Sequence, residues 1–352
     1  MFCSIVGKSR NDRGLEQHFI ELYRLISQLL DHYKEKSSWL IGGLILAVGI
    51  VLSFGLGSTG WGFPRESILE SPIFWEIRLP RTAQAVLSGA GLAIAGWLMQ
   101  ALFRNPLASP SILGVTNGAS LGVAWVTMFM ASWGTSLSGV SQIMAGAVGS
   151  LSVLLLLGLF KKWIQSVTGL LIFGVMLGHF AGALETIFQL WTERENLSGL
   201  IYWSMGSFDK ADAWGIFYIA LVLISVVVSV RMRSRSLDAW VMGDDFARSV
   251  GISTSAFSFW LILLSGSLTA VITTYCGPIA FIGLASPHLA KFWIKKRDHR
   301  SLIIGVMLTG GLIGLYCDIL TRCWHLPLNA VTSIVGAPWV MWWIIKKGRN
   351  GF

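Results

Sequence analysis

The residues of this chain that could do chemistry are scattered, and their spacing excludes more than it offers. Gly7-Lys8-Ser9 imitates the end of a phosphate-binding loop, but that loop needs a glycine five positions before Gly7, where Phe2 stands. Neither a preceding strand nor a following nucleotide fold is legible around it. Gly89, Gly91 and Gly96 do not form a dinucleotide fingerprint either. They lie in an apolar stretch where Ala85, Gly89 and Ala93 make a small-residue stripe suited to close helix packing. The four cysteines, Cys3, Cys276, Cys317 and Cys323, contain no CxxC and no Cys/His spacing for zinc. Cys317 and Cys323, six apart on one expected helix, cannot easily meet, whereas Cys276 with either remains geometrically open. Acids, bases and metal ligands nowhere cluster as an enzyme would need, so no cofactor is expected in this chain. The notable polar residues sit in or beside apolar segments: Arg78, Arg81, Asp318 and Arg322 near span ends, and His179 and Glu185 inside one. Buried ionisable groups in a membrane are functional candidates by default.

The elements that position them follow from composition. Of 352 residues, 54% are hydrophobic and only 13% charged, and a soluble chain of this length cannot bury so much apolar surface. Apolar stretches recur at Trp39 to Gly57, Thr82 to Phe103, Ile112 to Ser132, Val140 to Phe160, Val167 to Trp191, Trp214 to Val230, Phe257 to Tyr275, Leu302 to Ile319 and Leu328 to Ile345. Each is near the length, roughly 17 to 25 residues, that crosses a ~30 Å hydrocarbon layer as a helix. Phe281 to Phe292 is shorter and follows Gly277-Pro278, which breaks a continuous helix. It reads as a tenth, short or re-entrant crossing that must be buried in protein. The fold class is therefore an all-α polytopic membrane protein of about ten transmembrane helices. A weak internal repeat is expected from the tetrapeptide Leu-Ala-Ser-Pro at 107–110 and again at 284–287.

Charge sets the expected topology, because short cytoplasmic loops collect Lys and Arg. With ten crossings and both termini cytoplasmic, 21 of the 27 basic residues fall inside. The high basic balance is thus a signature of topology in an inner membrane. Nucleic-acid binding is disfavoured because the charges are dispersed over separate loops. Residues 1–38 form a cytoplasmic segment too charged for a signal peptide, with Phe19, Leu22, Ile26, Leu29, Leu30 and Tyr33 on one face of an amphipathic helix lying on the lipid surface. Residues 39–347 form the membrane domain, 232–256 its longest cytoplasmic loop, and 348–352 a cytoplasmic tail.

Two boundary segments are suited to partners. Arg78-Leu79-Pro80-Arg81 and Arg322 present guanidiniums at the outer face, where they could pair with carboxylates of an acidic protein or snorkel to lipid headgroups. In the long inner loop, Gly243, Asp244, Asp245, Phe246, Ala247 and Arg248 read as a short helix begun by an Asp cap and ended by Gly251, with Ala247 leaving room for close approach. Such a helix fits a cytosolic partner's groove; a solvated connector is the alternative.

These segments, in order, resemble the FecCD-type permeases of importers for ferric siderophores, haem and cobalamin. The resemblance runs from Arg78 to Lys347 on RLPR at 78–81, GAGLAIAGWLMQALFRNPLASPSILGVTNGA at 89–119, YWSMGSF at 202–208, MGDDFARSVGI at 242–252, GPIAFIGLASPHLAKFW at 277–293, the Asp318 and Arg322 pair, and LPLNAVTSIVGAPWVMWWI at 326–344. It implies two ten-helix permease subunits, identical or different, around a central pathway. It also implies two cytosolic ATPases carrying ATP and Mg, and a periplasmic or lipid-anchored substrate-binding protein. By resemblance, Arg78, Arg81 and Arg322 contact acidic residues of the binding protein, and Gly243 to Gly251 contact the ATPase. Thr168 matches the cytosolic gate region, and the span carrying His179 and Glu185 the pathway-lining helix; His288 matches a structural position near the inner face. The chain departs from the family at Asn329, where glycine is common, and at Ser286, where isoleucine or valine is usual. Siderophore is the expected cargo, with haem or cobalamin as alternatives. An ion-coupled secondary transporter would use His179, Glu185 and Asp318 but leaves MGDDFARSVGI unexplained.

Overall fold

The computed structural model describes residues 40–57, 60–61, 71–132, 139–164, 166–294 and 299–348. The amphipathic segment, Gly7-Lys8-Ser9, Cys3 and residues 349–352 lie outside them. All nine long stretches are helical, as expected. They are α1 Leu40–Gly55, α2 Leu79–Phe103, α3 Val115–Ser132, α4 Gly139–Phe160, α5 Val167–Trp191, α7 Ala213–Met232, α10 Thr254–Cys276, α12 His299–Trp324 and α13 Leu328–Gly348. Six helices are long and apolar enough to cross a membrane by length and composition. The short segment is α11, Ile282–Trp293, about 18 Å long at 1.5 Å per residue. Three further helices were not expected as such or only in outline: α6 Arg194–Ser204, α8 Ser234–Val241 and α9 Asp244–Ser249. The only extended pairing among the described residues joins Leu56–Gly57 to Gly60–Trp61. The third span starts later than expected, because Pro110–Leu113 forms a 3-10 turn and α3 begins at Val115.

The bundle is organised around α2. Of the most apolar window of the helix that contains it, 83% is buried, and it packs on α12, α10, α11 and α7. Its small residues make this possible: a Cβ on Gly89 would sit 2.3 Å from the carbonyl oxygen of Gly310, and one on Gly96 1.9 Å from that of Gly283. Backbones therefore approach to near contact, as small-residue stripes permit. By contrast α4 turns Val140, Met144, Val148, Leu151, Leu155 and Leu159 outward while burying Ser150 and Gln142, the polarity of a helix facing lipid.

The break before α11 lies where Gly277 and Pro278 placed it. Gly277 has φ 71° and Phe281 φ 64°, so the chain leaves α10 through a left-handed corner and enters α11 through another. Backbone freed at membrane depth must find partners. Here Cys276 O accepts from Ser207 N at 2.8 Å, Ala280 N donates to Asn329 Oδ1 at 2.9 Å, and Gln100 Nε2 donates to Leu284 O at 3.2 Å. Pro287 lies inside α11 and has no N–H for the carbonyl of Gly283; that carbonyl faces the bare Cα of Gly96. Both departures from the family pattern are absorbed locally. Asn329 also donates from Nδ2 to Ser204 O at 3.3 Å, and the buried Ser286 Oγ donates back to Ile282 O at 2.6 Å. The two Leu-Ala-Ser-Pro segments differ in conformation, one irregular and leading into a 3-10 turn, the other inside α11, so the echo is not a conformational repeat.

Candidate functional site

Arg78, Arg81 and Arg322 gather at one end of the bundle, as their places at the starts and ends of helices require. Asp318, 1% exposed, is the anchor. Its Oδ1 accepts from Arg81 Nε at 2.8 Å and its Oδ2 from Arg322 Nη2 at 2.6 Å. Arg322 donates further to the carbonyls of Ser53 and Leu56, each at 3.0 Å, and to Ser53 Oγ at 2.5 Å, which ties α1 to α12. Arg81 makes a second ion pair with Asp209, whose side chain is 59% exposed, and Arg78 donates to Phe54 O. The expectation that all three guanidiniums present themselves at the outer face is narrowed here for Arg322, which is only 9% exposed and has its charge matched by Asp318. Low dielectric makes an unpaired guanidinium costly, so the fold supplies a carboxylate. Asp209 was not singled out from the sequence; it follows YWSMGSF, and nothing in local spacing pairs it with Arg81. The cluster borders a cavity of about 790 Å³ lined by Arg81 and Arg322 and by Gln142, Asp209, Lys210 and Tyr275. Cys276 and Cys317 are buried, Cys323 is exposed, and all three are free thiols.

At the opposite end of α2, Arg104 closes the helix with φ 48°. Its Nε donates to Trp240 O at 3.1 Å, its Nη2 pairs with Asp244 Oδ1 at 2.5 Å, and its guanidinium lies 5.0 Å from the centre of the fully buried Trp240 ring. Trp240 Nε1 in turn donates to Ala101 O at 3.2 Å. The α8–α9 loop is thereby latched to the central helix. Arg104 appeared in the sequence only as one of the inner basic residues; the pairing across 140 positions was invisible.

Within the loop, α9 begins after Gly243 at φ 129°, a conformation for glycine, and Gly251 follows at φ 82°. The expected Asp cap is corrected: Gly243 is the N-cap without a side-chain bond, and Asp244 and Asp245 occupy the first turn, where their charge suits the helix dipole. Ala247 is also corrected. It is 0% exposed and belongs to the core beside Trp240 and Phe257, so its methyl is unavailable for contact with another protein. Asp245, Phe246 and Arg248 remain exposed on α9, while Asp244 is half-buried against Arg104.

Thr168 is exposed in the first turn of α5, which Ser166 caps by accepting from Gly169 N at 2.9 Å. His179 is exposed in the same stripe as Ile172, Met176, Ala183 and Thr186, a face with no cover in the single chain. Glu185 is half-buried and accepts from Gln189 Nε2 at 3.1 Å. Six positions apart on a helix, His179 and Glu185 point to different sides and do not form a pair. Behind the stripe, Asn117 Nδ2 donates to Gly178 O at 3.0 Å and fixes α5 against α3. His288, 1% exposed, bonds Pro106 O through Nε2 at 2.8 Å, a structural tie between α11 and the segment after α2. Among the described residues no three His, Cys, Asp or Glu side chains gather to hold a metal.

A polar mouth above a broken helix, a small-residue central helix and outward apolar faces place the chain in the class of multi-pass membrane transport permeases. It belongs to the FecCD transport family, whose match spans residues 41–346. The vitamin B12 import system permease protein BtuC of Escherichia coli (strain K12 / DH10B) is 33% identical over 330 residues, covering 90% of this chain and 97% of the relative. The BtuC of Shigella sonnei (strain Ss046) has the same identity and coverage. A metal-chelate type ABC transporter solved in an inward-facing conformation superposes with TM-score 0.78 at 28% identity, covering 89% of this chain and 99% of that one. PsaBC from Streptococcus pneumoniae, solved in complex with Fab, shares the fold at 12% identity and TM-score 0.53, over 79% of this chain and 92% of that one. The chain is thus a permease of an ABC importer.

Proposed function

We propose that this permease moves a large metal chelate inward across the cytoplasmic membrane, with a ferric siderophore as cargo. Its partners are a second permease subunit, two cytosolic ATPases that bind ATP and Mg, and an external substrate-binding protein. The observation that carries this reading is the latch of the α8–α9 loop to the central helix through Arg104, Asp244 and Trp240. A displacement of α9 by a nucleotide-driven partner is transmitted through this latch to α2, and α2 touches the broken helix and α12. An ion-coupled carrier has no use for such a lever. The excess of basic residues supports a cytosolic loop end and an outer Arg81 end. Arg81 and Arg78 then meet acidic residues of the binding protein, while Asp318 holds Arg81 in place and Arg322 serves as its buried support. The open stripe of α5 around His179 faces the second subunit and the pathway, and Thr168 lies at its cytosolic mouth. Alternating access follows from rocking between two packings of the helices.

A second reading, cobalamin as cargo, is favoured by the BtuC relatives, whose name states vitamin B12 import. Titrating the partner binding protein with ferric siderophores, haem and cobalamin separates the two. Tight binding of a ferric siderophore and none of cobalamin is the expected result; the reverse would overturn the siderophore assignment.

A further inference from the structure

A second polar cavity, of about 560 Å³, lies at the loop end, walled by Lys161, Lys162, Arg248 and the start of α10, with no carboxylate in its wall. Lys161 Nζ donates to Ser255 O and Ser258 Oγ, each at 2.5 Å, which uses two of the three protons of its ammonium. Lys162 and Arg248 are exposed, and neither has an ion pair within the described residues. The cavity also receives the first turn of α10, a helix of 23 residues whose N-cap, Ser253, makes no side-chain bond. The amides of Thr254, Ser255 and Ala256 therefore have no helical acceptor. Three cations and the positive end of a helix converge without a counter-charge, an arrangement that favours an anion.

The surroundings identify what carries that anion. The outward apolar stripe of α4, through Val148, Leu151, Leu155 and Leu159, ends at the cavity, and Trp163 beside it is 73% exposed. Exposed tryptophan next to lysine at the end of an apolar helix marks the level of the lipid headgroups. Phe259 lies under Lys161, its ring centre 5.8 Å from Nζ. A ligand matching the site has an anionic head and an apolar tail: the head fits among the cations and the tail lies along α4. We propose that Lys161, Lys162 and Arg248 form a headgroup site for an anionic phospholipid, which bridges the end of α4, the start of α10 and the α8–α9 loop. Burial lowers the pKa of Lys161, and a bound phosphate would offset that penalty. A free phosphate satisfies the cations but not the stripe, and a carboxylate from a protein partner leaves Trp163 unexplained.

The test uses the full-length permease in neutral detergent, titrated with phosphatidylglycerol or phosphatidylcholine and read by native mass spectrometry. Phosphatidylglycerol is expected to bind selectively. Lys162→Gln should weaken it about five-fold and the double change Lys161→Gln, Lys162→Gln about 25-fold, at about 1 kcal/mol per cation near a charged lipid surface. The charge-preserving double change Lys161→Arg, Lys162→Arg should retain binding. Lys162 is exposed and makes no hydrogen bond or ion pair among the described residues, so its single variant remains informative if the double variant unfolds. Equal binding of the two lipids, or no loss in Lys162→Gln, would overturn the proposal. So would displacement of phosphatidylglycerol by millimolar inorganic phosphate, which would mark a soluble-anion site, or by the ATPase subunits, which would assign the cations to a protein partner.

Discussion

Replacing Asp318 with Asn keeps the shape of the side chain and removes the charge that two guanidiniums share. Asp318 accepts from Arg81 at 2.8 Å and from Arg322 at 2.6 Å, and the side chains of Asp318 and Arg322 are 1% and 5% exposed. Breaking one partner of a buried pair costs about 3–5 kcal/mol, because the remaining charge is left uncompensated. Arg322 keeps its bonds to the Ser53 and Leu56 carbonyls, and Arg81 keeps Asp209, which places the expected loss near the lower bound, about 3 kcal/mol. The assay is equilibrium unfolding in detergent of Asp318→Asn, Arg322→Met and the double variant. The double variant should lose less than the sum of the singles by about 1–3 kcal/mol, since the second change removes the charge stranded by the first. A single variant within about 1 kcal/mol of the parent, or strict additivity, would refute the claim that this cluster is an electrostatically closed unit.

Three further outcomes are expected. Gly96→Ala places a methyl 1.9 Å from Gly283 O; α11 must move away, at an overpacking cost of about 1–3 kcal/mol or more, and uptake in reconstituted vesicles should fall while insertion persists. Arg104→Ala removes the ion pair to Asp244 and the stacking on Trp240, so purified complexes should keep basal ATPase activity and lose its coupling to transport; intact coupling would deny the latch. Arg81→Glu should abolish affinity for the binding protein more completely than Arg81→Ala, whereas Asp209→Asn, which removes the outer of the two carboxylates paired with Arg81 and leaves Asp318 in place, should raise it severalfold at low salt. Indifference of binding to all three changes and to salt would return the arginines to a structural role.

The long helices were legible because each is a local event: a run of apolar residues between charged or glycine-rich stops. The break before α11 was legible for the same reason, since Gly277 and Pro278 act on their own backbone. What local pattern could not show was partnership at a distance. Arg81 and Asp318 are 237 positions apart, and Arg104 and Asp244 140 apart, so the sharing of Asp318 between Arg322, four positions away, and the distant Arg81 was not legible. Ala247 looked like a gap left for a partner, but a small residue on a short amphipathic helix serves burial equally well, and here it is turned inward. Helix α6 was missed because its 11 residues, mostly polar through the first half and apolar only from Leu200 to Trp203, are too few for a span. Asn329, noted as a departure from the family, holds α6, the break and α13 together.

The central claim is that nucleotide hydrolysis on partner subunits drives inward movement of a chelate through this chain. Its most direct test is uptake of radiolabelled ferric siderophore into proteoliposomes containing the permease, its ATPase and the binding protein, with no ion gradient. ATP-dependent accumulation that vanishes without the binding protein is the predicted result. Accumulation driven by a proton or sodium gradient in the absence of ATP would contradict it.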